Sequence, residues 1–561
     1  NQSVKGLIAM KNPPPHIRNK KKLIFKAVAI LLPFIGLSLT EGGLRVFRYG
    51  HNLDLFVEDK GNTDYLVMNQ YASKRYFTEQ ENATMGTFEP FRKEKLPGSL
   101  RIFVLGESTT LGYPYMYNAS FHRWLHYRLM NTFPGREFEI INLSLTAVNS
   151  WTVLGFAKEL VDYEPDAVLM YCGQNEYYGT LGVGSSSRLG TSRLVVQSLL
   201  HLRSLRLVQL TGNTLQRIRS FLKGKPAEPR GTLMKRMAAR QEIPFGSSAY
   251  HHGIRQFGKN MEAICMILSK RNVPLFISNL VSNEKDLKPF TSAEGDTAGS
   301  ALHHFLKAEA AYRKGNFTSA KKQYVRAKDL DLLRFRAPEA LNQIIAGLPE
   351  RFPSVHLVDA KKLFEAHSPH GIIGRETILE HVHPNLFGYG LLSEAFYQAL
   401  KQHQVIAPKE EFEISLLQLR KEMPITRVDS LKGTYEIMIL RENWPFDERK
   451  TFDPGKLKSY EEKLAMALLG GQISWNDAIQ HQMNYFLTKN DQRNAAKVAE
   501  AAALQYPNDV IFLQYAGKFC MNLRNPDKAR IYFQRALSLD KNNKTTIDML
   551  NQAIAFSVNL P

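Results

Sequence analysis

The sequence predicts an α/β protein: a parallel sheet flanked by helices, preceded by one long apolar helix and followed by an all-helical C-terminal region. Three observations carry this. Strand-like apolar runs alternate with helical ones over residues 98–405. Small residues recur at a 34-residue offset near the C-terminus. Residues 23–40 are apolar apart from Lys26.

At 561 residues the chain is too long for one core, so several domains are expected. Hydrophobic residues at 44% and charged residues at 22% exclude wholesale disorder. A net charge of +20 suits a polyanionic partner, whether nucleic acid, anionic lipid head groups or acidic polysaccharide. Cys172, Cys265 and Cys520 are odd in number and far apart, which gives neither a disulfide framework nor metal-ligand spacing.

Arg18, Lys20, Lys21 and Lys22 precede the apolar run, so the positive-inside rule leaves the bulk of the chain outside the cytoplasm. Pro33 interrupts the run, and no small-x-small cleavage site follows it. The expectation is a basic cytoplasmic tail over 1–22 and an uncleaved transmembrane anchor over 23–47. That places the protein in a bacterial-type inner membrane as a single-pass protein with a periplasmic bulk. A connecting segment follows over 48–97.

Within 98–405, strands are predicted at 101–105, 138–143, 167–172, 273–279 and 355–358. Helices are predicted at 120–133, 150–163, 251–271 and 386–402. In a parallel sheet of this kind chemistry gathers at the carboxyl ends of strands. Polar residues that a sheet does not need sit there: Gly106-Glu107-Ser108, then Asn142 to Ser150, then Gly173-Gln174-Asn175-Glu176. A fourth group, Glu380-His381-Val382-His383-Pro384-Asn385, precedes the last helix. Singly each has a plain structural use, with Ser108 as a helix cap, Asn175 as a turn residue and His383 as a loop residue. Together they match the needs of acyl transfer. Ser108 would be the nucleophile, His383 its base and Glu380 the acid orienting that base. The Asn175 side-chain amide and the backbone N–H groups of Ser108 and Ala147 would form the oxyanion hole.

This order of blocks resembles the SGNH (GDSL-type) family of serine esterases and acyltransferases. The resemblance implies a flavodoxin-like sheet, Ser108 and His383 as nucleophile and base, and Asn175 in the oxyanion hole. It also directs attention to Glu107 and Gly173 as substrate-binding residues. Three residues depart from the family pattern: Glu380 stands where aspartate is usual, Ala147 stands where the oxyanion glycine is usual, and Glu107 stands where aspartate is usual in the first block. The second substitution is neutral unless the backbone there needs a positive φ. No cofactor and no metal ion is expected.

An insertion over 185–241 carries Arg188, Arg193, Arg203, Arg206, Arg217, Arg219, Lys223, Lys225, Arg230, Lys235, Arg236 and Arg240. The apolar stretch 195–210 inside it reads as a membrane-surface helix, a lid or a partner face. No nucleic-acid motif accompanies the charge, so no nucleic-acid partner is expected. Ala495, Ala502 and Pro507 recur as Ala529, Ala536 and Lys541, and Gly517 precedes Ala529 by twelve. That is the tetratricopeptide period, giving repeat helices over 458–561 and a further unit over 300–345 built on Ala308, Gly315, Ala320 and Ala327. Such helices, like the basic insertion, are candidate faces for a protein partner. Arg334 and Arg336 follow that unit and are candidates either for an anionic substrate group or for surface ion pairs. Residues 406–457 read as a linker with some strand.

The resulting expectation is a membrane-anchored, extracytoplasmic serine esterase or O-acyltransferase. Its substrate would be an acylated envelope polysaccharide or lipid, handled through an acyl-Ser108 intermediate. The alternatives are a non-catalytic scaffold or accessory subunit of a membrane complex, or a carbohydrate-binding protein using the same cleft.

Overall fold

In the computed structural model, residues 15–185, 192–223, 232–238, 242–294 and 299–558 are described. Residues 1–14 of the basic tail lie outside them, as do Arg188, Lys225, Arg230 and Arg240 of the insertion. The chain divides into two compact units, Asn1–Leu53 with Ser192–Glu228, and Asp54–Thr191 with Pro229–Pro561.

The first unit is helical. Helix Pro15–Val46 contains a stretch, Phe25–Val46, of mean hydropathy 1.7 with no buried residue, long and apolar enough to cross a membrane. The apolar stretch predicted over 195–210 is not one helix but the junction of two, Arg193–Arg203 and Arg206–Lys223. The Glu41 carboxylate accepts hydrogen bonds from the Arg206 and Leu207 backbone N–H groups at 3.1 and 2.9 Å. It thereby satisfies two orphan donors and meets the positive end of the second helix. Leu215, Ile218 and Leu222 remain exposed along one face of that helix.

The second unit opens with structure where only a connecting segment was expected. Strands β1 (Phe56–Glu58), β2 (Tyr65–Met68) and β3 (Phe91–Arg92) form a small antiparallel sheet. The main sheet comprises β4 (Leu100–Gly106), β5 (Phe138–Asn142), β6 (Ala167–Tyr171), β7 (Leu275–Ser278) and β8 (Val355–Val358). Their order is β5-β4-β6-β7-β8 and every pairing is parallel. All seven β4 residues and all five β6 residues are buried, which is why residues 102–105 and 167–171 read as unbroken apolar runs rather than alternating ones.

Helix Phe121–Thr132 is buried on almost every side. The C-terminal helices meet its surroundings: Asn118 Nδ2 donates to the Ala501 carbonyl at 2.7 Å, and Arg123 Nη1 to the Leu504 carbonyl at 2.8 Å. Those helices keep the 34-residue offset, with starts at 492 and 526 and at 510 and 544. Gly517 fits the spacing, since a Cβ there would sit 2.3 Å from the Phe533 ring. Helices Ala301–Arg313 and Phe317–Leu330 form the inserted hairpin around Phe305, Ala308, Ala320 and Tyr324.

Residues 406–457 differ from expectation. Among the described residues they hold no strand, but helices Leu416–Glu422 and Arg427–Arg441. A capping box between Thr426 and Asp429 starts the second helix. Asp429 also accepts from the Trp475 indole at 2.9 Å, so this segment is continuous with the C-terminal helices.

Candidate active site

Ser108 begins a one-turn helix, Ser108–Leu111, directly after β4, and Gly112 ends it at φ 104°. Gly106 permits that turn. A Cβ there would lie 2.3 Å from the Tyr171 carbonyl oxygen and 2.1 Å from Thr110 Oγ1. The Thr110 hydroxyl donates to that same Tyr171 carbonyl at 2.8 Å, holding the turn against the end of β6.

Ser108 Oγ lies 2.8 Å from His383 Nε2. His383 Nδ1 faces Glu380 Oε1 in a short contact. The other Glu380 oxygen accepts from the Val382 backbone N–H at 2.9 Å and from that of His381. Glu380 is buried, which alone would raise its pKa, yet His381 and His383 hold it well below the ordinary value. An ionised carboxylate thus faces the imidazole, and the extra methylene of glutamate does not prevent contact. The arrangement can take a proton from Ser108 and stabilise the imidazolium that results. Glu380, His381 and His383 also place their ligand atoms within 4.8 Å of one another, a donor set of the kind that holds a metal ion. Here the Glu380 oxygens already serve the two histidines and the backbone N–H groups.

The oxyanion candidates come from two loops that interlock. A Cβ on Gly179 would lie 2.7 Å from the carbonyl oxygens of both Asn175 and Val148. Glu176 joins the loops from below, accepting from the Ser150 hydroxyl at 2.9 Å and its backbone N–H at 3.2 Å. Burial pushes the Glu176 carboxyl up to about 7. Ala147 has φ 57°, the left-handed region that favours glycine, so the position does need a positive φ and alanine occupies it under strain. Its carbonyl accepts from the Thr180 N–H at 2.9 Å.

Four residues expected to bind substrate are placed otherwise. Glu107 is buried and accepts from the Asn175 backbone N–H at 3.1 Å and from Cys172 Sγ at 3.5 Å, so it holds the Asn175 loop. Gly173, at φ 142°, lies under the same loop, where a Cβ would meet Leu280 at 2.7 Å. Arg334 and Arg336 are 2% and 3% exposed, neither at the surface nor open to a ligand. Arg334 Nε donates to the Ile243 carbonyl at 2.7 Å, with its guanidinium over the Tyr250 ring. Arg336 donates to the Asn283 carbonyl at 3.0 Å and pairs with Asp331 at 3.1 Å. The Asn283 N–H in turn binds the His381 carbonyl at 2.9 Å, so Arg336 braces the histidine loop.

The sequence reading missed what borders the histidine. The Tyr113 ring centroid is 4.6 Å from that of His383, and Phe446 lies 5.6 Å from His381. Lys432 Nζ donates to the Pro114 carbonyl at 2.8 Å, which brings the 427–441 helix onto the turn after Ser108. No spacing or motif in the sequence links these segments, which lie more than 300 residues apart.

Solved structures similar to part of this chain include esterases and an acyltransferase. An acetyl xylan esterase is 11% identical, with 54% of this chain and 100% of that one covered at a TM-score of 0.29. The psychrotrophic esterase EstA from Pseudoalteromonas sp. is 13% identical, covering 55% and 99% at 0.25. A salicylyl-acyltransferase from a tetracycline biosynthetic pathway is 11% identical, covering 56% and 59% at 0.24. No protein-family model and no curated protein matches the sequence.

Proposed function

We propose that this protein is a membrane-anchored, extracytoplasmic serine esterase or O-acyltransferase of the SGNH type. The observation that carries the reading is the continuous line from Ser108 Oγ through His383 to the buried Glu380. In the reaction, His383 Nε2 removes the Ser108 proton as Oγ attacks the acyl carbonyl. The oxyanion meets N–H donors of Ser108 and Ala147 and the Asn175 amide. His383 then protonates the leaving alcohol, and a water or a sugar hydroxyl releases the acyl group by the same steps in reverse. An acylated envelope polysaccharide or lipid suits an enzyme tethered by helix Pro15–Val46, and the basic insertion and tetratricopeptide-like helices suit a polyanionic surface or protein partner.

Labelling of the detergent-solubilised full chain with a fluorophosphonate probe tests this. The expected result is one labelled site, lost in both Ser108→Ala and His383→Ala. A folded wild-type chain that takes no label would favour the non-catalytic scaffold instead.

A further inference from the structure

We propose that a cleft between the amino ends of β4 and β5 and helix Pro526–Leu539 is a second binding site, for a small molecule carrying a phosphate or carboxylate group. The cavity there measures about 440 Å³, within the range of small-molecule pockets. It lies at the opposite strand ends from Ser108, between the segments that lead into β4 and β5 and the helix that carries Arg535.

Two arginines line it, Arg136 from the turn before β5 and Arg535 from the helix. The Arg136 Nε–H donates to the Gly98 carbonyl at 3.3 Å, and no carboxylate pairs with its guanidinium among the described residues. The Arg535 side chain makes no hydrogen bond or ion pair among the described residues, and its Nε is buried without an acceptor. Burial draws the Arg535 guanidinium below its ordinary value, with Glu137 the nearby carboxylate that opposes the shift. Glu137 also lines the cavity, but Arg92 lies 3.8 Å from it, so the two cavity arginines outnumber the charge available to them.

A half-buried guanidinium with no carboxylate within ion-pair distance is costly, and an anion with two or three oxygens would remove that cost through its forked donors. Gln534 stands on the rim as a neutral donor, with Ser538 beside it donating its hydroxyl to the Arg535 carbonyl at 2.8 Å, while Phe138 and Leu539 give the ligand's body an apolar wall. A second cavity of about 20 Å³ shares Phe138 and Pro507 with the first. Both ring nitrogens of the buried His126, which lines it, are also without partners.

The test is isothermal titration of the full chain in detergent with inorganic phosphate and, separately, with succinate. Saturable binding of at least one anion is expected, weakened about tenfold or more in Arg535→Gln. Ser538→Trp, which fills the rim from an exposed position, should weaken it as well and carries the test if Arg535→Gln fails to fold by circular dichroism. Tighter binding of phosphate assigns a phosphoryl ligand, and tighter binding of succinate a carboxylate. No saturable heat with either anion, or binding unchanged in the folded variants, overturns the proposal.

Discussion

Glu107 accepts the Asn175 backbone N–H at 3.1 Å, so the residue before Ser108 in the chain holds the loop that carries Asn175, the proposed side-chain oxyanion donor. Burial pushes the Glu107 carboxyl up to about 8, against the N–H groups of Asn175 and Gly173, which favour the charged form. The folded state therefore holds this proton more tightly than the unfolded chain, whose value is near 4.5. The resulting stabilisation is complete below that unfolded value and is lost as the pH rises through the folded one. Glu107→Gln stays neutral throughout, so its melting temperature should fall less than the wild type's between about pH 5 and pH 8. An equal fall in the two proteins would remove Glu107 from the pH dependence.

Glu380→Gln keeps the shape of the triad and removes its negative charge. The amide no longer stabilises an imidazolium at His383, so kcat should drop by about 10²–10⁴ with KM little changed. Steady-state rates on a chromogenic acetyl ester give both parameters. A loss confined to KM would assign Glu380 to binding instead.

Ala147 holds a conformation that costs an alanine ~1 kcal/mol or more and a glycine little. Ala147→Gly should stabilise the protein in urea titrations by a few tenths of a kcal/mol to ~1 kcal/mol, once the more flexible unfolded chain is included. The rate of probe labelling at Ser108 should be unchanged. Ala147→Val should lower both stability and labelling, because a β-branched residue tolerates this region worst.

Gly433 sits where a Cβ would lie 2.2 Å from the Tyr115 ring. Gly433→Val should force the Tyr113–Tyr115 turn aside at a cost of ~1–3 kcal/mol. Labelling of Ser108 should slow although every triad residue is intact, since the Tyr113 ring packs beside His383. Unaltered labelling kinetics would show that the helix supports the fold without influencing the site.

The parallel sheet was legible because buried strands leave apolar runs and three of them end in polar residues that a sheet itself does not need. Ser108, Glu380 and His383 could be named from those ends, and the structure brings them together. Glu107 and Arg336 could not be placed. A carboxylate or guanidinium that binds substrate and one that holds a loop from beneath look alike in sequence, and only burial distinguishes them. The 406–457 segment was opaque for another reason. Its helices are short, and the capping pair that starts one of them, Thr426 with Asp429, becomes informative only beside the Trp475 indole.

Helix Phe121–Thr132 has one flank on the sheet domain, where Phe121 stacks on Phe396, and another on the C-terminal helices through Arg123 and Leu504. It therefore has no solvent-facing side of its own to show if those helices are removed. A fragment ended at residue 405 would leave Arg123 and Tyr127 without Leu504 and Glu500, facing water beside bare apolar surface, and such a fragment would be prone to self-association. The two regions can be told apart in the chain, but melting of the unit formed by Asp54–Thr191 and Pro229–Pro561 should follow a single cooperative transition spanning both.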